Sequence, residues 1–260
     1  MENKTTGGTV GKALQVLDQV ASAGGPIKFS DLLDQSAYPK ATLYRLLQTL
    51  VGERLVQFNE TTQSYSLGVR LVSLAHSAWQ QASLAPIARD AIDKLSVEVG
   101  ETVHLAQLDG GQVLYVDKRN ATRPIQMFSD AGKVGPVYCT GVGKAMLAFL
   151  PAIKQRRIID QQSYYAYTAH TLASAEALRA ELAEIRLAGI AFDREEHEPG
   201  IICIAAPIKT AAGLVYGGIS ITTSTQRYNL AALGEFKNSL VATANEIARN
   251  AEAWRFPETI

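Results

Sequence analysis

The run Asp193-Arg194-Glu195-Glu196-His197, with Cys203 shortly after it, gathers side chains that can do acid–base and nucleophilic chemistry. Paired carboxylates can pass a proton between them, and a thiol beside an imidazole can become a nucleophile. Cys203, however, lies within Ile201-Ile202-Cys203-Ile204-Ala205, the pattern of a buried strand, where cysteine behaves as a small inert hydrophobe. Glu195 reads as part of a solvated loop, and Glu196 is left open between solvent and a role. The histidines His76, His104, His170 and His197 have no metal-ligand spacing, so no metal site is expected. Thr140-Gly141-Val142-Gly143-Lys144 has the look of a phosphate loop, but Tyr138 stands where a Walker motif needs glycine and Ala145 where it needs Ser or Thr. A small-residue turn that opens a helix still leaves backbone N–H groups for a small anion or carbonyl. The same turn could equally serve only to pack a helix on a sheet.

A second group of chemically capable residues lies near the N-terminus. Tyr38-Pro39-Lys40-Ala41-Thr42-Leu43-Tyr44-Arg45 opens a helix whose leucines Leu43, Leu46, Leu47 and Leu50 form an inner face. Lys40, Thr42, Tyr44 and Arg45 are left at its outer start. Lysine and arginine neutralise phosphate or read guanine, and hydroxyls set register on the backbone, so these four are the expected DNA contacts. Residues 1–66 carry six basic and six acidic residues, and a three-helix protein-interaction module would share the pattern.

The elements that must position these residues follow from periodicity and breakers. Val10, Ala13, Leu14, Leu17, Val20 and Ala21 predict a first helix with one buried face, stopped by Gly24-Gly25-Pro26. Phe29–Leu33 predicts a short second helix. The third begins with Pro39 at its first position and ends near Gly52. Leu55–Asn59 and Gln63–Leu67, joined by Glu60-Thr61-Thr62, predict a hairpin. Gly68 to Gln80 predicts an apolar connector helix. Beyond it come a helix over 84–99, strands over 102–108 and 112–118 about Asp109-Gly110-Gly111, and further strands over 123–129, 190–193, 201–209 and 213–222. Helices are predicted over 141–150, 152–160, 174–188 and 230–252. The fold class is α+β: a winged helix-turn-helix over 1–67, a linker helix over 68–82 and a larger domain over 83–260.

Composition narrows the function. In 260 residues, 25 Lys+Arg balance 25 Asp+Glu, which excludes a polybasic coat protein but not a DNA binder that uses one small face. Hydrophobic residues at 47% and charged residues at 19% argue against wholesale disorder. No apolar run is long enough to span a bilayer, and Met1–Lys12 lacks the apolar stretch of a signal peptide. Two cysteines, Cys139 and Cys203, cannot build a disulfide framework. The expectation is a soluble, cytoplasmic chain with no membrane partner.

Residues 9–82 and 84–250 resemble the IclR family of bacterial transcription regulators. The likeness is carried by Val10–Leu17 (VGKALQVL), Tyr38–Leu50 (YPKATLYRLLQTL), Tyr65–Leu71 (YSLGVRL), Cys139–Ala148 (CTGVGKAMLA), Phe192–Pro207 (FDREEHEPGIICIAAP) and Gly217–Ile221 (GGISI). Lys12 departs from the arginine more usual there, keeping charge but not bidentate geometry. The resemblance implies a winged helix joined to a GAF-like effector-binding domain, assembled as homodimers and dimers of dimers on double-stranded operator DNA. It implies an effector cavity walled by the loop carrying Gly141, by Met127, Val142 and Ile201 as apolar lining, and by Asp193, Cys203 and Ser220 as polar points. It implies no catalysis and no cofactor, only a small-molecule effector: a small carboxylate, semialdehyde, lactone or aromatic acid. The competing reading is a small-molecule enzyme with an N-terminal interaction domain, using Cys203 or Asp193.

Overall fold

A computed structural model describes residues 8–254 of the chain. Residues 1–7, which include most of the segment read for a signal peptide, lie outside the described residues. The chain divides into two compact units with the boundary between Gln81 and Ala82.

The first unit runs α1 (Thr9–Ser22), β1 (Ile27–Lys28), α2 (Phe29–Asp34), α3 (Lys40–Gly52), β2 (Val56–Asn59), β3 (Ser64–Leu67) and α4 (Arg70–Ala82), whose last residue opens the second unit. Leu43, Leu46, Leu47 and Leu50 of α3 are buried with Val16, Val20, Ile27, Leu32, Val56 and Tyr65 in one core. Pro39 is the residue before the helix rather than its first turn, and its carbonyl accepts the N–H groups of Thr42 and Leu43. The three strands form a small antiparallel sheet in the order β1-β3-β2. The predicted inner face of α1 is only partly an inner face. Val16 and Val20 are buried, whereas Val10 and Leu14 are 75% and 51% exposed. Not one residue of α4 is buried.

The second unit runs α5 (Ala85–Val99), β4 (Thr102–Asp109), β5 (Gln112–Arg119), β6 (Val134–Gly135), α6 (Gly141–Ala148), α7 (Ala152–Asp160), α8 (Ala175–Ala188), β7 (Ala191–Arg194), β8 (Ile201–Lys209), β9 (Val215–Ser224), α9 (Leu230–Gly234) and α10 (Lys237–Ala253). The strands make one six-stranded antiparallel sheet ordered β6-β5-β4-β9-β8-β7. Helices α5 and α10 pack on one face; α6 packs on the other, with α8 against it. Gly100 and Gly189 close α5 and α8 in left-handed conformation, the C-terminal stop that glycine reaches without a Cβ clash.

Two predicted elements differ. Residues 123–129 form no strand. Pro124 has no N–H to give a ladder, and the edge of β5 is taken instead by β6. The predicted helix over 230–252 is two helices, interrupted at Glu235-Phe236 just after Gly234.

Candidate functional site

Side chains alternate across a strand, and the central strands use that alternation to separate two environments. Val103 and Leu105 of β4, Ile202 and Ile204 of β8, and Ile219 and Ile221 of β9 are buried apolar residues. Between them stand Thr102, His104 and Ala106, then Cys203 and Ala205, then Gly218, Ser220 and Thr222. A Cβ on Gly218 would meet Met146 and Val142, so this second set faces α6. Register places His104 beside Ser220 and Cys203 beside both Asp193 and Thr222. Small and polar residues are thereby focused under the first turn of α6.

Helix α6 can sit that close because two of its first three residues, Gly141 and Gly143, have no side chain. A Cβ on Gly141 would lie 2.3 Å from Cys203 Sγ, and one on Gly143 would lie 2.5 Å from the Val137 carbonyl oxygen. Thr140 precedes the helix but does not cap it; its hydroxyl donates to the Pro136 carbonyl at 2.7 Å. The first N–H groups of an α-helix have no partner within it, so those of Gly141 to Gly143 point out of its end.

Between this helix end and the sheet lies an enclosed cavity of about 30 Å³. The predicted residues Gly141, Val142, Asp193, Ile201, Cys203 and Ser220 all line it. Met127 does not; it is half-buried on the irregular 120–133 segment. Thr140 lines the cavity as part of the predicted loop, and His104, Tyr115, Ser129, His197, Glu198 and Thr222 also line it and were not anticipated. His104, Tyr115 and Thr222 lie on strands, and the alternation just described was the signal that could have found His104 and Thr222. Most of the lining side chains can hydrogen-bond.

The polar walls are organised. His104 Nε2 is 3.0 Å from the Ser129 hydroxyl, its Nδ1 is 3.2 Å from that of Thr222, and Thr222 is 3.4 Å from the Ser220 hydroxyl. Burial, reinforced by the Lys118 ammonium, lowers the His104 pKa to about 3, so the ring is neutral and one of its nitrogens accepts. Asp193, 7% exposed, accepts the Glu196 N–H at 2.8 Å. Burial first, and then the neighbouring Glu196 carboxylate, raise its pKa to about 7. Burial opposes the charge of Glu198 too, but hydrogen bonding to His197 and to the Phe128 N–H, at 2.9 Å, holds this carboxyl below its usual range. The 120–133 segment is thus tied over the cavity by Phe128 to Glu198, by Ser129 to His104, and by the Lys118 ammonium donating to the Ser129 carbonyl at 2.9 Å. Among the described residues no Lys or Arg lines the cavity.

The acidic run resolves into distinct jobs. Glu196 is buried and ion-paired with the wholly buried Lys144, which also meets Glu181 at 3.2 Å; Arg194 reaches Glu181 at 2.7 Å. Glu195 is half-buried rather than solvated, with left-handed backbone, and its carboxylate accepts the Gly200 N–H at 2.6 Å. This pins the turn that leads into β8. Burial raises the Cys203 thiol far above its ordinary value, leaving it protonated and a poor nucleophile. Among the described residues, no three His, Cys, Asp or Glu side chains are grouped to hold a metal, and no helix is long and apolar enough to cross a membrane.

In the first unit, Lys40, Tyr44 and Arg45 are exposed at the start of α3, and Thr42 is half-buried. They fall on two faces. Lys40, Ala41, Tyr44 and Gln48 border an open groove of about 900 Å³, whose other wall is Lys28, Phe29, Ser30, Phe58, Gln63 and Tyr65. Thr42 and Arg45 lie outside that groove, on the neighbouring strip with Thr49, whose hydroxyl donates to the Arg45 carbonyl.

Comparison with known proteins matches both units. Residues 9–60 match the IclR helix-turn-helix domain, and residues 76–249 match the bacterial transcriptional regulator IclR C-terminal domain. XynR of Escherichia coli K12, an HTH-type transcriptional regulator, is 31% identical over 93% of this chain and 96% of its own length. The transcriptional repressor IclR of the same organism is 29% identical over 91% of this chain and 87% of its own. A solved IclR homologue from Microbacterium hydrocarbonoxydans, complexed with 4-hydroxybenzoate, shares the fold with a TM-score of 0.80 at 20% identity, over 95% of this chain and all of that one. The relatives are regulators and not enzymes, in keeping with a Cys203 held protonated by burial. With helix-turn-helix and C-terminal domain both matched in order, this chain belongs to the IclR family of bacterial transcriptional regulators, DNA-binding proteins that answer to small molecules.

Proposed function

We propose that the cavity under α6 is the effector site, that Lys40, Thr42, Tyr44 and Arg45 hold double-stranded operator DNA, and that the effector releases or admits DNA by shifting the arrangement of a homodimer or dimer of dimers. On this reading the protein works in the cytoplasm as a repressor, like its relative in Escherichia coli. The observation that carries the effector assignment is the convergence of Gly141, Val142, Asp193, Ile201, Cys203 and Ser220 on one enclosed space at a helix N-terminus. Met127, off the lining but on the covering segment, becomes a contact when that segment moves.

The cavity's size and polarity support a reading of the effector's chemistry. About 30 Å³ holds one or two waters, so any metabolite must displace the Phe128–Ser129 cover. The lining rewards an oxygen-rich molecule: a small carboxylate, semialdehyde or lactone, or an aromatic acid such as the 4-hydroxybenzoate held by the Microbacterium homologue. With no cation on the walls, a ligand carboxylate finds its positive partners in the N–H groups of α6. It also favours the protonated form of Asp193, which then donates to it. Carboxylate binding therefore weakens as pH rises through about 7, where Asp193 ionises. Coupling to DNA needs only that the effector prefers one arrangement, since equal affinity for both shifts nothing.

The test is calorimetry with lactate, a semialdehyde, butyrolactone and 4-hydroxybenzoate, together with anisotropy on labelled DNA. Val142→Trp fills the space beneath α6 and is expected to abolish effector heat while DNA binding stays within about twofold. A Val142→Trp protein that binds the same effector unchanged places the pocket elsewhere.

The dimer reading rests on uncovered apolar surface. Val10 and Leu14 of α1, and Val69, Val72 and Leu74 at and along α4, are each half or more exposed. Sedimentation of a monomer at micromolar concentration that still protects operator DNA would exclude it.

A further inference from the structure

The first unit is charge-balanced, which is at odds with holding a polyanion unless the charges are sorted in space. They are sorted about the groove beside α3. Lys28 and Lys40 stand on its two sides, and among the described residues no Asp or Glu lines it. Among the described residues neither lysine makes an ion pair. The acids lie elsewhere. Glu53 is engaged by Arg70, Asp31 accepts from the Ser30 hydroxyl, and Glu60 borders a second groove, on the other side of Lys28, which lines both. The floor is aromatic: Phe29 stands edge-on to Tyr44, ring centres 6.2 Å apart, and Phe58 lies 4.8 Å from Tyr65. The rim carries neutral hydrogen-bonding groups, Ser30, Gln48 and Gln63, the last in left-handed backbone at the hairpin turn.

A trough with two unpaired cations, amide and hydroxyl donors and an apolar floor is complementary to one sugar–phosphate strand. The phosphates meet the lysines and the donors, while sugar C–H groups lie on the rings. An α-helix fills the DNA major groove, so a strand bordering that groove runs along the flank of the helix. On α3 the flank carrying Lys40, Tyr44 and Gln48 faces the trough, and the adjacent strip carries Thr42, Arg45 and Thr49.

We infer that one DNA strand lies in the groove between α3 and the hairpin, gripped by Lys28 of β1 opposite Lys40, while Arg45 and Thr42 on the next strip meet base edges. This rests on the reading of α3 as the DNA-reading helix, and it adds Lys28 and Gln63 as contacts and divides the four α3 residues by role.

The experiment measures the salt dependence of binding by the full chain to a labelled duplex of random sequence and to one selected from a random pool. Lys28→Ala is expected to lower the slope of log affinity against log salt by about one unit, and affinity about three- to tenfold near 0.1 M salt, equally on both duplexes. Lys28→Arg keeps the slope. Arg45→Ala is expected instead to shrink the ratio between selected and random duplexes. An unchanged slope in Lys28→Ala, with Lys40→Ala lowering it, overturns the strand path and leaves α3 as the reading helix. Unchanged binding in Lys28→Ala, Lys40→Ala and Arg45→Ala together removes both. Lys28 is exposed, so circular dichroism matching the parent confirms that folding is not the cause.

Discussion

Asp193 and His104 face the same cavity and titrate in opposite senses. Folding raises the Asp193 pKa from 3.8 to about 7, so between those values the folded chain holds a proton that the unfolded chain has released. Stability from this group is present at acid pH and is lost as pH rises through that window. Folding lowers the His104 pKa from 6.5 to about 3, so here it is the unfolded chain that holds the extra proton, and stability is lost as pH falls below 6.5. From about pH 4 to 6.5 the two slopes oppose each other. Asp193→Asn, which keeps an oxygen for the Glu196 N–H, removes one of them. The variant should gain stability relative to its parent as pH rises from 4 to 7.5, by up to about 4 kcal/mol. Urea unfolding across that range measures it, and a difference independent of pH would mean that Asp193 is ionised throughout. His104→Gln should show the mirror image, gaining relative stability toward acid.

At the scale of elements, the contact between α6 and β8 is the one on which the cavity depends. Gly141→Ala places a methyl group into Cys203 Sγ and should cost about 1–3 kcal/mol, the usual penalty of overpacking. Cys203→Ala clears that atom, leaving Ala205 as the next contact at 3.4 Å. The double variant should therefore recover most of the loss, a coupling that a double-mutant cycle on thermal unfolding reads directly. Simple addition of the two effects would refute the close approach. The same element shows what the sequence could and could not disclose. Gly141 and the helix behind it were legible, because small residues before an apolar run mark a helix start, and Gly100 and Gly189 marked helix ends equally well. The absence of a strand over 123–129 was not, since it depends on which segment wins the edge of β5. Nor were Ser129, His197 and Glu198 legible as cavity walls: they come from irregular segments whose path is set by contacts distant in sequence, such as Phe128 to Glu198, seventy positions apart. Lys144 reads as a surface cation until Glu196 and Glu181 are seen to enclose it.

For the molecule as a whole, the sequence signal for a boundary is the hydrophobic pattern, which changes period where the hairpin ends and α4 begins. The order of the six strands was beyond reach, since β9 must insert between β4 and β8 although the chain reaches it last. α4 itself carries a consequence that belongs to helix–coil physics. It has 13 residues, none of them buried, and isolated helices of that length are marginal in water because nucleation is unfavourable. Its helicity must therefore be supplied from outside, by whatever covers Val72 and Leu74. If a second copy does so, helix content becomes a function of dilution. Far-UV ellipticity should fall by about 13 residues' worth as protein is diluted through its dissociation constant, before either core unfolds. Signal independent of concentration from nanomolar to micromolar would mean that α4 is stable alone. The connector is then a segment that folds only in company, and the cell's own copy number sets how much of it is formed.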